Sequence, residues 1–203
     1  MSACWTALWL SLVAIVLSWG IGLFTALAKM SNNPLARWPA EFFVWFIRGT
    51  PSLIQIFIIY FGLPQLGLRL DPFSAGVLAL GICSGAYVAE VFRAGFMAIP
   101  RGQSESAIAL GLGPLQTLQR VILPQVVRII VPALTNEAVN TLKNTSLLST
   151  ITVVELTLYI QTAIAATFRP FDFYMVAAIL YLAMCSILML FAGWYERRNV
   201  VRL

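Results

Sequence analysis

The sequence predicts an all-α integral membrane protein of about five transmembrane helices with a polar hairpin on one side. Three observations predict it. Hydrophobic residues make up 60% of the 203 and charged residues only 10%, too little charge to cover a soluble chain of this size. Several apolar runs approach the ~20 residues that cross a bilayer core, and mean hydropathy reaches +0.87. Polar sequence gathers in the connections, above all in 103–124, QSESAIALGLGPLQTLQRVILP.

Taken in order, spans are expected near 5–28, 42–62, 73–92, 127–159 and 173–194. The first begins almost at Met1, with no basic residue before it and no small-residue cleavage site after it, so it reads as a retained span. The second is interrupted by Arg48-Gly49-Thr50-Pro51: Pro51 lacks an amide donor and biases Thr50 away from the helical region. Gly76, Gly81 and Gly85 of the third span, with Gly20 and Gly22 of the first, suit close helix packing. The fourth region is longer than one crossing and is broken up by polar residues. The fifth ends at Trp194, just before Arg197, Arg198 and Arg202.

Basic residues set the orientation. Lys29 and Arg37 follow the first span, Arg93, Arg101, Arg120 and Arg128 surround the third loop, and the intervening loops carry only Arg69 and Arg169, each near an aspartate. Positive-inside bias then places the N-terminus outside, and the C-terminus and 103–124 in the cytoplasm. Trp5, Trp38, Trp194 and Tyr195 fall at span boundaries, as an aromatic belt does. One membrane domain, 1–203, accounts for the whole chain.

Composition also excludes functions. The net charge of +5 is not a nucleic-acid signal, because the basic residues flank hydrophobic runs. Histidine is absent, which removes the commonest acid/base and metal ligand. Cys4, Cys83 and Cys185 sit at irregular spacing in apolar sequence, so neither a disulfide framework nor a zinc site is expected. No G-x-x-x-x-G-K-[ST] phosphate loop or G-x-S-x-G elbow occurs, so the chain has no usual means of hydrolysing ATP and no serine-hydrolase nucleophile. No catalytic residue and no metal site are assigned.

In the hairpin, Ser104, or alternatively Gln103, suits the cap of a short helix through Leu110. Gly111 and Gly113 supply backbone freedom, and Pro114 suits the first turn of a second short helix. Leu115, Leu118 and Ile122 recur at helical spacing, giving that helix an apolar face. Pro124 punctuates the loop before the fourth span. On these grounds alone the hairpin is either a plain connection or a docking surface.

Glu105-Ser106-Ala107, three residues, Gly111, nine residues, then Val121-Ile122-Leu123-Pro124 resembles the EAA-x3-G-x9-I-x-LP loop of ABC-importer permeases. Ser106 stands for the second alanine and Val121 for isoleucine. FIRGTPSLIQIFIIYFGLP (46–64), GAYVAEVFRAGFMAIPRGQ (85–103) and LTNEAVNTLKNTSLLSTI (134–151) are similar to permeases of the polar amino-acid uptake family, which includes the arginine, histidine, glutamine and glutamate importers. The resemblance runs from about Trp5 to the C-terminal basic cluster. Members usually carry a short stretch before the first span that is missing here, which puts Met1 in question as the natural start.

The resemblance implies an ABC type I importer permease of the bacterial cytoplasmic membrane. It implies that Glu105, Ser106, Ala107, Gly111, Leu123 and Pro124 form a coupling helix docking into a separate ATP-binding subunit. It further implies a second permease, identical or related, two cytoplasmic ATPase subunits and an external solute-binding protein. No cofactor is expected on this chain; ATP with Mg is used by the partner.

Polar residues at membrane depth mark a path for solute. Arg48, Gly49 and Thr50 stand at a helix break, where amides attract an anion and Arg48 suits a carboxylate. Arg48 is also close enough to Phe42 to snorkel to the headgroups. Asn136, Asn140, Lys143 and Asn144 fall on one helical stripe bordered by Glu137 and Thr141. A charge at the bilayer centre costs at least ~2.5 kcal/mol on insertion scales, so the stripe faces protein or water. It reads as a solute wall, with interhelical glue the competing reading. Glu90 and Arg93, one turn apart, suit a local ion pair, and Glu155 suits a solvated helix end, with reception of a binding protein the competing reading.

Overall fold

The computed structural model describes residues 2–199, with side chains described from Ala3 to Tyr195. Met1, Arg202 and the side chains of Arg197 and Arg198 lie outside the described residues. Every described element is helical. α1 (Ser2–Met30), α4 (Pro72–Met97) and α9 (Pro170–Asn199) are long single helices. α2 (Pro34–Gly49) leads into α3 (Ser52–Phe57), which continues as a π turn (Ile58–Gly62) and a 3-10 turn (Leu63–Leu66). α5 (Arg101–Ala109) and α6 (Pro114–Thr117) form the hairpin. A π turn (Leu118–Ile122), α7 (Leu123–Asn144) and a 3-10 segment (Thr145–Ile151) follow, and then α8 (Leu156–Thr167).

Four stretches are long and apolar enough to cross a membrane: Ala3–Met30, Pro72–Met97, Pro114–Ile151 and Pro170–Tyr195. The pair Pro34–Gly49 and Ser52–Leu66 is long and apolar enough only when taken together, and its two helices meet at a bend of 112°, the geometry of a broken span or of a re-entrant loop. The expected span at 42–62 is therefore corrected. Its first half belongs to α2, which starts at Pro34 behind an Asn33 side chain that accepts from the Leu35 amide at 3.0 Å. Thr50 and Pro51 are extended, as the missing proline donor demands.

The fourth region is corrected at both ends. It does not begin after a separate short helix: α6, the π turn and α7 run as one rod from Pro114. A proline ring clashes with the carbonyl four residues back; ahead of Pro124 the widened π turn lets Leu123 donate to Leu118. Nor does it run to Tyr159. It ends at Ile151, where Thr152 takes a positive φ of 67°. Glu155 then caps α8, accepting from the Thr157 amide at 2.8 Å and the Leu158 amide at 2.9 Å.

Lipid tails are as apolar as leucine, so close packing rather than water exclusion holds such helices together. α1 and α4 approach through glycine. A Cβ at Gly22 would strike Val88, one at Gly81 would strike Leu17, and one at Gly85 would strike Ile21. Gly76 takes the same role against Leu148, whereas Gly20 meets nothing and is not a packing glycine. The central cluster gathers Leu10, Ala14, Ile56, Ala79, Leu80 and Leu148. Lys29 of α1 pairs with Glu90 of α4, and Arg93 joins the same carboxylate at 2.8 Å. The local Glu90–Arg93 pair is thus observed, with a long-range partner the sequence did not reveal.

Candidate functional site

The helix break is held by one side chain. Gln55, buried at the start of α3, places its amide nitrogen 2.7 Å from the Ile47 carbonyl, 3.0 Å from the Thr50 carbonyl and 2.7 Å from Thr50 Oγ1. Its oxygen accepts from Cys83 Sγ of α4 at 2.6 Å. The clasp satisfies backbone carbonyls that the bend frees, which buried chain requires.

Beside the break lies a cavity of about 430 Å³, lined by Ser52, Cys83, Ser84, Tyr87, Glu137, Asn140, Lys143 and Asn144. Ser84 of α4 and Thr141 of α7 join their hydroxyls at 2.8 Å behind it, and Thr141 also donates to the Glu137 carbonyl at 2.8 Å. α4 is thereby keyed to α7 at this depth, so the α7 stripe faces the cavity with its register fixed. The walls offer a carboxylate, an ammonium, two carboxamides and hydroxyls, which suits a solute carrying both charges.

A second cavity of about 510 Å³ lies toward the hairpin, with Arg48, Tyr87, Glu90 and Glu137 above and Ala94, Gly95, Ala98, Ile129, Ile130 and Ala133 among its other walls. The Arg48 guanidinium sits 5.4 Å from the Tyr87 ring centroid. It therefore faces the cavity rather than snorkelling away along α2.

The predicted residues divide. Arg48, Glu137, Asn140, Lys143 and Asn144 line one or other cavity. Gly49, Thr50 and Asn136 line neither: Thr50 Oγ1 donates to the Phe46 carbonyl at 2.9 Å and belongs to the clasp, while Gly49 and Asn136 are exposed. Sequence reasoning missed Ser52, Gln55, Cys83, Ser84 and Tyr87. A signal existed in α4, where Ser84 and Tyr87 are three apart on one face of a mainly apolar helix.

In the hairpin, Gly111 takes φ of +80°, a conformation that favours glycine because a Cβ would crowd the following carbonyl. Gly113 has φ of −69° and needs no such freedom. Helix α5 starts at Arg101 behind Pro100 with no side-chain cap, so neither Ser104 nor Gln103 is the cap. Gln103 instead accepts from the Gln125 amide at 3.1 Å, tying α5 to α7. Ala107 is buried, Leu123 half-buried, and Glu105, Ser106, Gly111 and Pro124 exposed. The expected apolar face does not pack down fully: Ile122 is half-buried, but Leu115 is 65% exposed, alongside Ile108 at 61% and Leu110 at 83%.

Glu155 departs furthest from expectation. It is fully buried, not solvated, and accepts from Tyr181 Oη at 2.9 Å besides capping α8.

Helices long and apolar enough to cross a membrane, a polar-walled cavity beside a bent helix pair and an exposed apolar hairpin fit a transport subunit. Residues 6–201 match the model of a family described as "Binding-protein-dependent transport system inner membrane component", and the chain belongs to that family. It is 38% identical to the "Probable amino-acid ABC transporter permease protein YckA" of Bacillus subtilis (strain 168), over 93% of this chain and 84% of that one. It is also 38% identical to the "Glutamine transport system permease protein GlnP" of Escherichia coli (strain K12), over 94% of this chain and 88% of that one. A solved structure described as an amino acid ABC transporter with histidines matches with a TM-score of 0.89 and 38% identity, covering 97% of this chain and 92% of that one.

Proposed function

We propose that this chain is the permease subunit of an ATP-driven importer for polar amino acids and forms half of the translocation pathway. The observation that carries the reading is the helix Pro114–Ile151. One end of it is the exposed hairpin, and farther along it Glu137, Asn140, Lys143 and Asn144 line the polar cavity. A zwitterion meets the Lys143 ammonium with its carboxylate and the Glu137 carboxylate with its ammonium group. Opines, cystine and ectoine-like solutes offer the same groups and compete as substrates.

The exposed Ile108, Leu110 and Leu115 favour insertion of the hairpin into a cleft of an ATPase subunit, with Glu105 at its edge. Two such subunits use ATP with Mg; this chain binds no cofactor. Asn136, Asn140 and Lys143 are exposed at membrane depth, where lipid contact is costly, so a second permease, identical or related, covers them. The hairpin lies in the cytoplasm, the N-terminus and the solute-binding protein lie outside, and the membrane is the bacterial cytoplasmic one.

The test is reconstitution with the neighbouring permease, ATPase and binding protein in liposomes, followed by ATP-dependent uptake of labelled amino acids. Saturable uptake of one charge class is expected. ATPase binding without uptake of any amino acid moves the substrate to another polar solute, and no ATPase association overturns the docking role. Gly111→Glu should leave insertion intact while separating ATP hydrolysis from uptake.

A further inference from the structure

Of the residues lining the two cavities, only Tyr87 and Glu137 line both. Residue order fixes their height. α4 descends from Ser84 through Tyr87 and Glu90 to Ala98, while α7 climbs from Ile129 through Glu137 to Asn144. Tyr87 and Glu137 therefore stand between a polar chamber and one whose hairpin-side walls are Ala94, Gly95, Ala98, Ile129, Ile130 and Ala133.

Three features bear on what this partition does. The Tyr87 hydroxyl has no hydrogen-bond partner among the described residues, and its ring lies against the Arg48 guanidinium. Arg48 forms no close ion pair among the described residues; Glu137, on the wall of the same cavity, is the carboxylate that attracts it over a longer distance. The backbone on either side of Arg48 is pinned, because Gln55 holds the carbonyls of both Ile47 and Thr50. No hydrogen bond or close ion pair among the described residues holds either side chain, so each can turn on a fixed backbone. A cation–π contact holds two populations apart by a factor of only a few to about thirty, so the ring is fastened lightly enough to open in each cycle.

We propose that Tyr87, latched by Arg48, is the gate that separates the solute chamber from the hairpin-side exit. The ring closes the passage and the guanidinium holds it closed. The proposal rests on reading the two cavities as one solute path. It assigns Tyr87 a positioning role that the polar stripe on α7 does not supply, since a solute bound at Asn140 and Lys143 needs a barrier beneath it.

The test uses the complete complex in proteoliposomes. The chain carries Cys4→Ser, Cys83→Ser and Cys185→Ser, which retain a donor to Gln55, plus Asn144→Cys as a reporter in the upper chamber. A membrane-impermeant methanethiosulfonate is added on the ATPase side, and the intact mass of this chain follows the reaction. Tyr87→Ala should raise the labelling rate about tenfold or more, and Arg48→Gln by a factor of a few. Tyr87→Phe should leave the rate at the parental value, because the ring and not the hydroxyl closes the path. Equal rates in Tyr87→Ala and parent, with the complex assembled, overturn the gate. If Tyr87→Ala does not assemble, an unchanged rate in Arg48→Gln overturns it. A parent with the unsubstituted cysteines that transports no amino acid sinks the functional reading, whereas the labelling rates still decide the gate.

Discussion

Helices α4 and α7 both face the cavities, yet they are built on opposite plans. In α4, 61% of the most apolar window is buried, against 28% in the helix that contains α7. α4 buries small residues, Ala75, Ala79, Gly81, Ala86 and Ala89 among them, and lets α1 close in along most of its length. α7 keeps Asn136, Asn140 and Lys143 uncovered and carries Pro124 and Pro132. The difference teaches a division of labour: α4 is a strut whose sequence is spent on packing, and α7 keeps a polar face uncovered beside the cavity, the face proposed above to meet solute.

The sharpest way to break that contrast is to overfill the strut. Gly81→Leu drives a side chain into Leu17; overpacking costs about 1–3 kcal/mol or more, and little folded protein should survive size-exclusion chromatography in detergent. A monodisperse, heat-stable Gly81→Leu protein would make the glycine seam incidental. Lys143→Met probes the other plan. Losing one charge-assisted hydrogen bond, about 1.5–3 kcal/mol, should lower ATP-driven uptake tenfold or more while thermal stability holds. If the variant unfolds instead, the stripe is glue and the comparison collapses.

Smaller effects refine it. Glu90→Gln strips the carboxylate that Lys29 and Arg93 share and should cost about 1–2 kcal/mol, read as a lower Tm; adding Lys29→Met should recover part of it. Thr117 Oγ1, buried in the hairpin without a hydrogen-bond partner, provides the gentlest test. Thr117→Val removes an unsatisfied group, so stability should stay level or rise by up to about 1 kcal/mol.

What was legible in the sequence was local. Gly111 ahead of Pro114 announced a turn, and the observed φ of +80° is the reason that residue is glycine. Asn140, Lys143 and Asn144 announced a polar face through helical period alone, and Glu90 and Arg93 announced a pair one turn apart. What escaped was long-range. The Gln55 clasp reaches Cys83 across 28 residues, and Lys29 meets Glu90 across 61. Glu155 read as solvated because composition cannot disclose Tyr181, which is 26 residues on. The 112° bend was legible as a break at Pro51, but not as an angle, since the angle depends on what α2 packs against: Val44 and Ile47 seat on Ala86 and Ala89.

The helix that joins hairpin to cavity has one more consequence. At 38 residues it is roughly 57 Å long, far more than a bilayer core needs. Such a rod pivots like an oar in its lock: a tilt of about 10° carries one tip roughly 10 Å relative to the other. The two tips swing in opposite senses, so on the proposed pathway a single stroke at the hairpin that narrows one mouth would widen the other.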